Sequence, residues 1–266
     1  MAAIRNYSSV MLGSATSQAL SDIFKNQFSG RMYATQKNGP GNIIHQKELH
    51  RIFQSDLAKG ETLLEVDAGP MAWYSFMSSS RFNDIVLSDL VENNRVELEK
   101  WLNRSEDAID WTFRAEQVAA LEGYRNIKKG AFAIMERTRS SIRKVVLCDV
   151  LKPGVLPEEH REIFDVVLSC NCLECVAADL DSFQSVVKNV GSLVKCGGLL
   201  VLAGIGGMGD YYMGNKDFPM VNLTEDVLKS SVTDAGFRIK TFYAEIVGGM
   251  GSADAFVFVL AAHNKE

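Results

Sequence analysis

The chain has 266 residues, with 28 basic and 33 acidic side chains, a formal net charge of −5, 47% apolar residues and 23% charged ones. This is the make-up of a water-soluble globular protein, long enough for one full-sized α/β domain or two small ones. Five prolines and 21 glycines argue against a collagen-like or proline-rich chain, no apolar run reaches the roughly 18–20 residues of a membrane-spanning helix, and the acidic balance argues against a nucleic-acid binder.

Residues 1–20 carry one charge, Arg5, and scatter their apolar side chains. Lacking the continuous apolar stretch of a signal peptide, they read as a flexible tail, with an organellar address as the alternative. The remainder, 21–266, shows no repeat and no low-complexity linker and reads as one domain. Ile44, Leu49, Ile52, Phe53 and Leu57 predict an amphipathic helix over 43–57. Thr62-Leu63-Leu64-Glu65-Val66 suits a buried strand, broken by Asp67-Ala68-Gly69-Pro70, and a helix follows over 73–80. A second strand, 84–89, ends in Asp89, and Val96, Leu98, Trp101 and Leu102 place a helix over 92–102. Further helices are expected over 113–123 and 131–143. A third strand runs over 144–148 and is capped by Asp149; the fourth covers 164–169. A helix over 179–195 precedes the fifth strand, 198–203, and another over 224–235 starts from Thr224 as N-cap. Two last strands, 237–246 and 254–262, flank Gly248, Gly249 and Gly251 and are expected to pair antiparallel.

Strands alternating with helices predict βαβ units in a mostly parallel sheet covered on both faces. Ligands in such sheets bind beyond the carboxyl ends of the strands, so Asp67–Gly69, Asp89, Asp149 and Cys170 are the candidate lining. Asp89 lies 20 residues after Gly69, the spacing at which an acid takes the hydroxyls of a ribose, in a dinucleotide or in S-adenosylmethionine. Its alternative role, like that of Asp149, is a helix cap or a solvated loop end.

Other patterns carry less. Gly204-Ile205-Gly206-Gly207-Met208-Gly209 matches the dinucleotide-binding glycine pattern, but it follows the fifth strand and opens no helix, so a mobile loop beside the pocket is expected. Cys170, Cys172, Cys175 and Cys196 are read as buried, reduced thiols rather than a zinc site, and no metal is expected. With an odd count of five cysteines, the chain does not look like a secreted disulfide scaffold, and a cytoplasmic location follows. His45, His50, His160 and His263 are taken as surface imidazoles. Arg137, Arg139, Arg143 and Lys144 are taken as a solvated helix face.

Glu65-Val66-Asp67-Ala68-Gly69-Pro70, Ile85-Val86-Leu87-Ser88-Asp89 and Asn94-Arg95-Val96-Glu97-Leu98-Glu99-Lys100-Trp101-Leu102 recur in a familiar order. So do Asp110-Trp111, Cys148-Asp149-Val150, Leu168-Ser169-Cys170-Asn171-Cys172-Leu173-Glu174 and Tyr211-Tyr212-Met213-Gly214. Together they resemble the nicotinamide, phenylethanolamine and indolethylamine N-methyltransferases, from about Phe24 to the C-terminus. The resemblance implies an α/β, Rossmann-like methyltransferase fold. Its seven-stranded sheet is mostly parallel with an antiparallel last strand, helices cover both faces, and an N-terminal helical lid closes the site. It implies S-adenosylmethionine as cofactor, bound by Tyr33, Asp67, Ala68, Gly69, Trp73, Asp89, Asn94, Asp149, Val150 and Cys170. Asp89 takes the ribose, Asn94 the polar tail region, and Asp149 with Val150 the adenine. Phe28, Asn171, Glu174 and Tyr211 face a small amine or pyridine-like substrate, Glu174 as the catalytic carboxylate that orients the nucleophile and accepts its proton. Its alternative is an acid near the start of the helix over 179–195. The expected protein is a monomer.

The chain departs from that family in telling places. Asp67 stands where the family has the first glycine of Asp-Ile/Val-Gly-Ser-Gly-Pro, and its carboxylate either repels the cofactor's carboxylate or pairs with its ammonium. Phe28 and Trp73 replace tyrosines, and the acidic substrate positions after the fifth strand fall on Gly204 and Met208. These departures motivate a second reading, a non-catalytic binding or regulatory protein on the same fold; a dehydrogenase is a third.

Overall fold

A computed structural model describes residues 17–27, 31, 40–213, 216–248 and 251–265. Tyr33, expected on the cofactor, and Phe28, expected on the substrate, lie outside these. The helices are α1 (Ser17–Gln27), α2 (Pro40–Gln54), α3 (Trp73–Ser78), α4 (Glu92–Leu102), α5 (Thr112–Leu121), α6 (Ile127–Ser141), α7 (Leu173–Val176), α8 (Leu180–Gly191) and α9 (Glu225–Asp234). The strands are β1 (Thr62–Val66), β2 (Asp84–Asp89), β3 (Ile142–Leu147), β4 (Phe164–Cys170), β5 (Val194–Gly206), β6 (Asp210–Met213), β7 (Lys216–Pro219), β8 (Phe237–Ile246) and β9 (Phe256–Asn264).

Seven strands form one sheet in the order β3-β2-β1-β4-β5-β9-β8. β1 to β5 run parallel, and β9 runs antiparallel to both neighbours, β5 and β8. The expected α/β sheet with an antiparallel last strand is thus the one found. Its parallel strands are apolar on both faces because both are covered. Leu63, Ile85, Leu87, Val166, Leu168 and Val201 pack on one side with Leu49, Phe53, Phe76, Leu98 and Trp101 of α2, α3 and α4. Leu64, Val86, Val167, Leu200 and Leu202 pack on the other with Phe183, Val187 and Val190 of α8 and Leu228 of α9.

Element ends differ from the sequence-based expectation where local signals are ambiguous. α6 starts at Ile127, capped by Asn126, which accepts from the Lys129 amide at 3.0 Å. Gly130 hid its first turn; a Cβ there would lie 2.5 Å from the Tyr124 ring, so only glycine lets the two pack. β5 begins at Val194, and α8 already ends at Gly191. The segment after β5 is not a mobile loop: β6 and β7 pair as a hairpin, with Tyr211 stacked on Phe218 at 5.3 Å between centroids. α1 begins at Ser17, inside the stretch read as tail. It lies beside α7, and the Ala178 amide donates to Ser17 Oγ at 3.2 Å.

The supposed solvated basic face is also corrected. Arg143 and Lys144 lie on β3, and each basic side chain meets acids: Arg137 with Glu122, Arg139 with Glu136, Arg143 with Asp84 and Glu162, Lys144 with Glu162, all at 2.7–2.9 Å. Cys196 is exposed, unlike the other four cysteines.

Candidate active site

Strand register brings the candidate residues together. Val66 is level with Ser88 on one side and Ser169 on the other, so Asp67, Asp89 and Cys170 follow at one height. Cys170 pairs with Ala203, which sets Gly204 one step further on. The chain reverses direction across the sheet between β1 and β4, where parallel α/β sheets open a crevice.

The first turn is tight. Asp67 has φ +57° and Gly69 φ +68°, and the Ala68 amide donates to the Ser88 carbonyl at 2.9 Å. Asp67 therefore holds a left-handed conformation that glycine adopts freely and aspartate tolerates. Asp89 is 1% exposed. Its Oδ2 accepts from the Gly69 amide at 2.7 Å, and its Oδ1 from the Val91 amide at 2.7 Å and Asn94 Nδ2 at 3.1 Å. Burial, then the neighbouring Asp67 carboxyl, pushes Asp89 well above the usual carboxylate range. Burial also raises Asp67, against hydrogen bonds from Cys172, the Leu90 amide and Asp89. Two acids this close oppose each other's ionisation, and the pair titrates as a coupled unit. Two residues back along β1, Glu65 accepts from Ser75 Oγ and is pushed by burial to about 8.

At the β4 end, Asn171 has φ +52°. Its amide donates to the Ala203 carbonyl at 2.9 Å and its Nδ2 to Tyr74 Oη at 3.0 Å. Glu174 on α7 is 3% exposed, and its Oε1 accepts from the Ile205 amide at 3.0 Å. Burial raises its carboxyl to about 7, partly offset by that amide. It is not a cap of α8. Asp179 takes that role, accepting from the Ser182 amide at 2.8 Å in a capping box. A Cβ on Gly204 would lie 2.4 Å from Glu174 Oε1, so the glycine leaves the volume that the carboxyl fills. α7 joins the two acidic centres, for Cys172 donates to Asp67 and the field at Cys175 comes from Glu174 and Asp67.

The remaining candidates form the rim. Asp149 accepts from the Leu151 amide at 3.2 Å and pairs with Lys152 at 3.3 Å, so part of its work is to hold its own turn. The Val150 carbonyl is pinned by Asn189 Nδ2 at 2.9 Å. Trp73 is buried, with Arg114 stacked 3.8 Å over its ring and its Nε1 left without an acceptor. Tyr211, half-buried on β6, bonds to Cys175, whereas Tyr212 points to solvent.

Three features of this site escaped the sequence reading. His45 is not a surface imidazole; it is 1% exposed, and its Nε2 lies 3.1 Å from the Gly204 carbonyl. Its spacing to Leu49, Ile52 and Phe53 already put it on the buried face of α2. Glu65 with Ser75, and Arg114 over Trp73, carry no comparable sequence signal, since their partners are set by packing. The glycine pattern 204–209 is strand and hairpin entrance rather than a strand-to-helix turn, which removes the dehydrogenase reading. Among the described residues no three His, Cys, Asp or Glu side chains group around a metal-sized gap, and no helix is long and apolar enough to cross a membrane.

The NNMT/PNMT/TEMT family matches residues 22–264. Indolethylamine N-methyltransferase of Oryctolagus cuniculus is 33% identical over 198 residues, 72% of each chain. Nicotinamide N-methyltransferase of Homo sapiens is 33% identical over 196 residues, 74% of this chain and 73% of that one. Among solved structures, magnesium protoporphyrin IX methyltransferase from Synechocystis PCC 6803 with bound SAM aligns with a TM-score of 0.58 at 11% identity, covering 95% of this chain and 98% of the other. N-methyltransferase NodS from Bradyrhizobium japonicum WM9 with S-adenosyl-L-homocysteine gives 0.55 at 15% identity, covering 95% and 100%. At these identities the structural likenesses speak for the fold alone.

Proposed function

This chain belongs to the NNMT/PNMT/TEMT family, and from that premise we infer that it is an S-adenosylmethionine-dependent N-methyltransferase acting on a small amine or pyridine-like acceptor. The observation that supports the reading is the pair of buried acids, Asp89 ending β2 and Glu174 on α7, near the carboxyl ends of the parallel strands, where this fold class binds its ligands. The residues fit the cofactor. Asp89 is oriented by three donors and keeps lone pairs for ribose hydroxyls, Asn94 Oδ1 and Trp73 Nε1 are buried without partners, and the first turn brings backbone close. When bound, the cofactor supplies an electrophilic methyl group on a sulfonium.

The chain's own residues position and deprotonate. Asp149 and Val150 would hold the adenine, and Ala68, Gly69 and Cys170 would line the cofactor. Asn171, tied to Tyr74, and Tyr211, stacked on Phe218, would wall the acceptor. An alkylamine must lose a proton to be methylated. Glu174, poised at about 7, is the base that receives it, directly or through water. The relatives reported above are named as N-methyltransferases, and nothing favours the non-catalytic alternative. All five cysteines are free and four are buried, which supports the cytoplasm.

Titration calorimetry with S-adenosylmethionine and S-adenosylhomocysteine, followed by a methyl-transfer screen of amines and pyridines, tests this. Micromolar binding and transfer to nitrogen are expected. Asp89→Ala should weaken binding at least tenfold, the loss of two charge-assisted hydrogen bonds. No binding at millimolar concentration would overturn the reading.

A further inference from the structure

His45 and Glu174 sit on different elements, α2 and α7, yet both hold one peptide unit. His45 Nε2 lies 3.1 Å from the Gly204 carbonyl oxygen. The amide on the other side of that same peptide, Ile205 N–H, donates to Glu174 Oε1 at 3.0 Å. A carbonyl only accepts, so the imidazole is the Nε2–H tautomer, and its buried Nδ1 has no partner. We propose that His45 is a positioning residue for Glu174, polarising the Gly204–Ile205 peptide so that its amide holds the carboxylate form of Glu174 in the acceptor site. The proposal rests on Glu174 being the base on the acceptor side.

The physical basis is the resonance of the peptide bond. Donation to the carbonyl draws charge from the nitrogen and makes its N–H a stronger donor, and such chains strengthen cooperatively where water is excluded. Position 204 suits this use. Its Cβ would lie 2.4 Å from Glu174 Oε1 and 2.8 Å from Phe258 Cζ, so glycine leaves the space in which the carboxyl reaches this peptide. Burial drives His45 down to about 4, against the pull of the Gly204 and Phe258 carbonyls; it stays neutral and fixed while Glu174 titrates. The titratable groups that feel the charge of Glu174 are the thiols of Cys170 on β4 and Cys175 on α7, the latter bonded to the Tyr211 hydroxyl. Burial holds both thiols well above their ordinary range, so Glu174 is the group that changes charge near neutrality.

The ionisation of Glu174 is read directly from its infrared carboxyl band between pH 5 and 9, assigned by its loss in Glu174→Gln. His45→Leu, which keeps the volume and removes the donor, should make Glu174 a roughly two- to fivefold weaker acid, and His45→Gln, which restores an N–H, should recover most of the change. An unmoved midpoint in folded His45→Leu overturns the proposal. A second measurement needs no substitution of His45: in the unaltered protein the His45 ring N–H and the Ile205 amide proton should shift together as Glu174 titrates. A stationary His45 proton while Ile205 moves overturns it as well. A relay that behaves as expected in a protein that methylates nothing would instead strike the methyltransferase reading and leave the coupling standing.

Discussion

Asp67 holds a left-handed backbone position beside a second acid, and the structure explains how it is tolerated. A non-glycine residue at φ +57° costs on the order of 1 kcal/mol, somewhat less for aspartate. Its half-buried carboxyl lies beside Asp89 and raises it, while burial raises Asp67 itself. Against this stand bonds from Cys172 and from the Leu90 amide at 3.5 Å. Asp67→Gly is therefore expected to stabilise the protein by about 1 kcal/mol at pH 7, after the entropic cost of glycine, measured by urea denaturation. It should also tighten S-adenosylmethionine binding, because Asp89 then loses the neighbouring charge that opposes its ionisation and accepts better from a ribose. Weaker binding would instead assign Asp67 to the cofactor's ammonium.

At the scale of elements, one carboxylate ties three strands at the end of the sheet opposite the crevice. Asp165 on β4 accepts through Oδ2 from the Glu61 and Thr62 amides and Thr62 Oγ1 at 2.9–3.0 Å, and through Oδ1 from Lys195 of β5 at 2.9 Å. Burial opposes its charge, but Lys195 and these donors win, and the carboxyl lies well below the usual range. Gly60 makes room, since a Cβ there would lie 2.3 Å from the Asp165 side chain. Asp165→Ala should cost about 2 kcal/mol by stranding two strand-edge amides. A depressed acid contributes stability above its unfolded pKa, near 3.9, and loses it as pH falls further. The substitution should therefore matter at pH 7 and fade below about pH 3, and an equal effect at both pH values would count against the clamp.

Across the whole molecule, the acids at the crevice oppose that trend. Glu65, buried to the point of titrating at about 8, binds a proton in the folded state that it releases when unfolded near neutrality. Its contribution is complete below the unfolded pKa and is lost as pH rises towards 8, a slope of at most about 1.4 kcal/mol per pH unit. The melting temperature should fall between pH 6 and 8.5, and Glu65→Gln, which stays neutral, should flatten that slope. A wild-type slope unchanged in Glu65→Gln would assign the effect to Glu174 or the Asp67–Asp89 pair.

The sequence by itself determined the strands, since parallel strands buried on both faces must be apolar runs such as Ile85-Val86-Leu87. It also determined the acids that end them, since polarity returns where a strand leaves the core. Asp67, Asp89, Asp149 and Cys170 were legible as a group because register at strand ends follows from fold class, whereas Glu174 was singled out only by the family resemblance. The start of α6 and the β6–β7 hairpin were less so, because Gly130 and the glycines of 204–209 break the pattern that periodicity relies on. What only the tertiary structure decided is how those acids behave. The Asp67 charge that raises Asp89, the carboxyl of Glu174 in the space beside Gly204, and the imidazole of His45 behind the same peptide join residues 22, 30 and 159 positions apart. Hydrogen bonds and desolvation act over a few ångströms, and only folding brings such distant residues within that range.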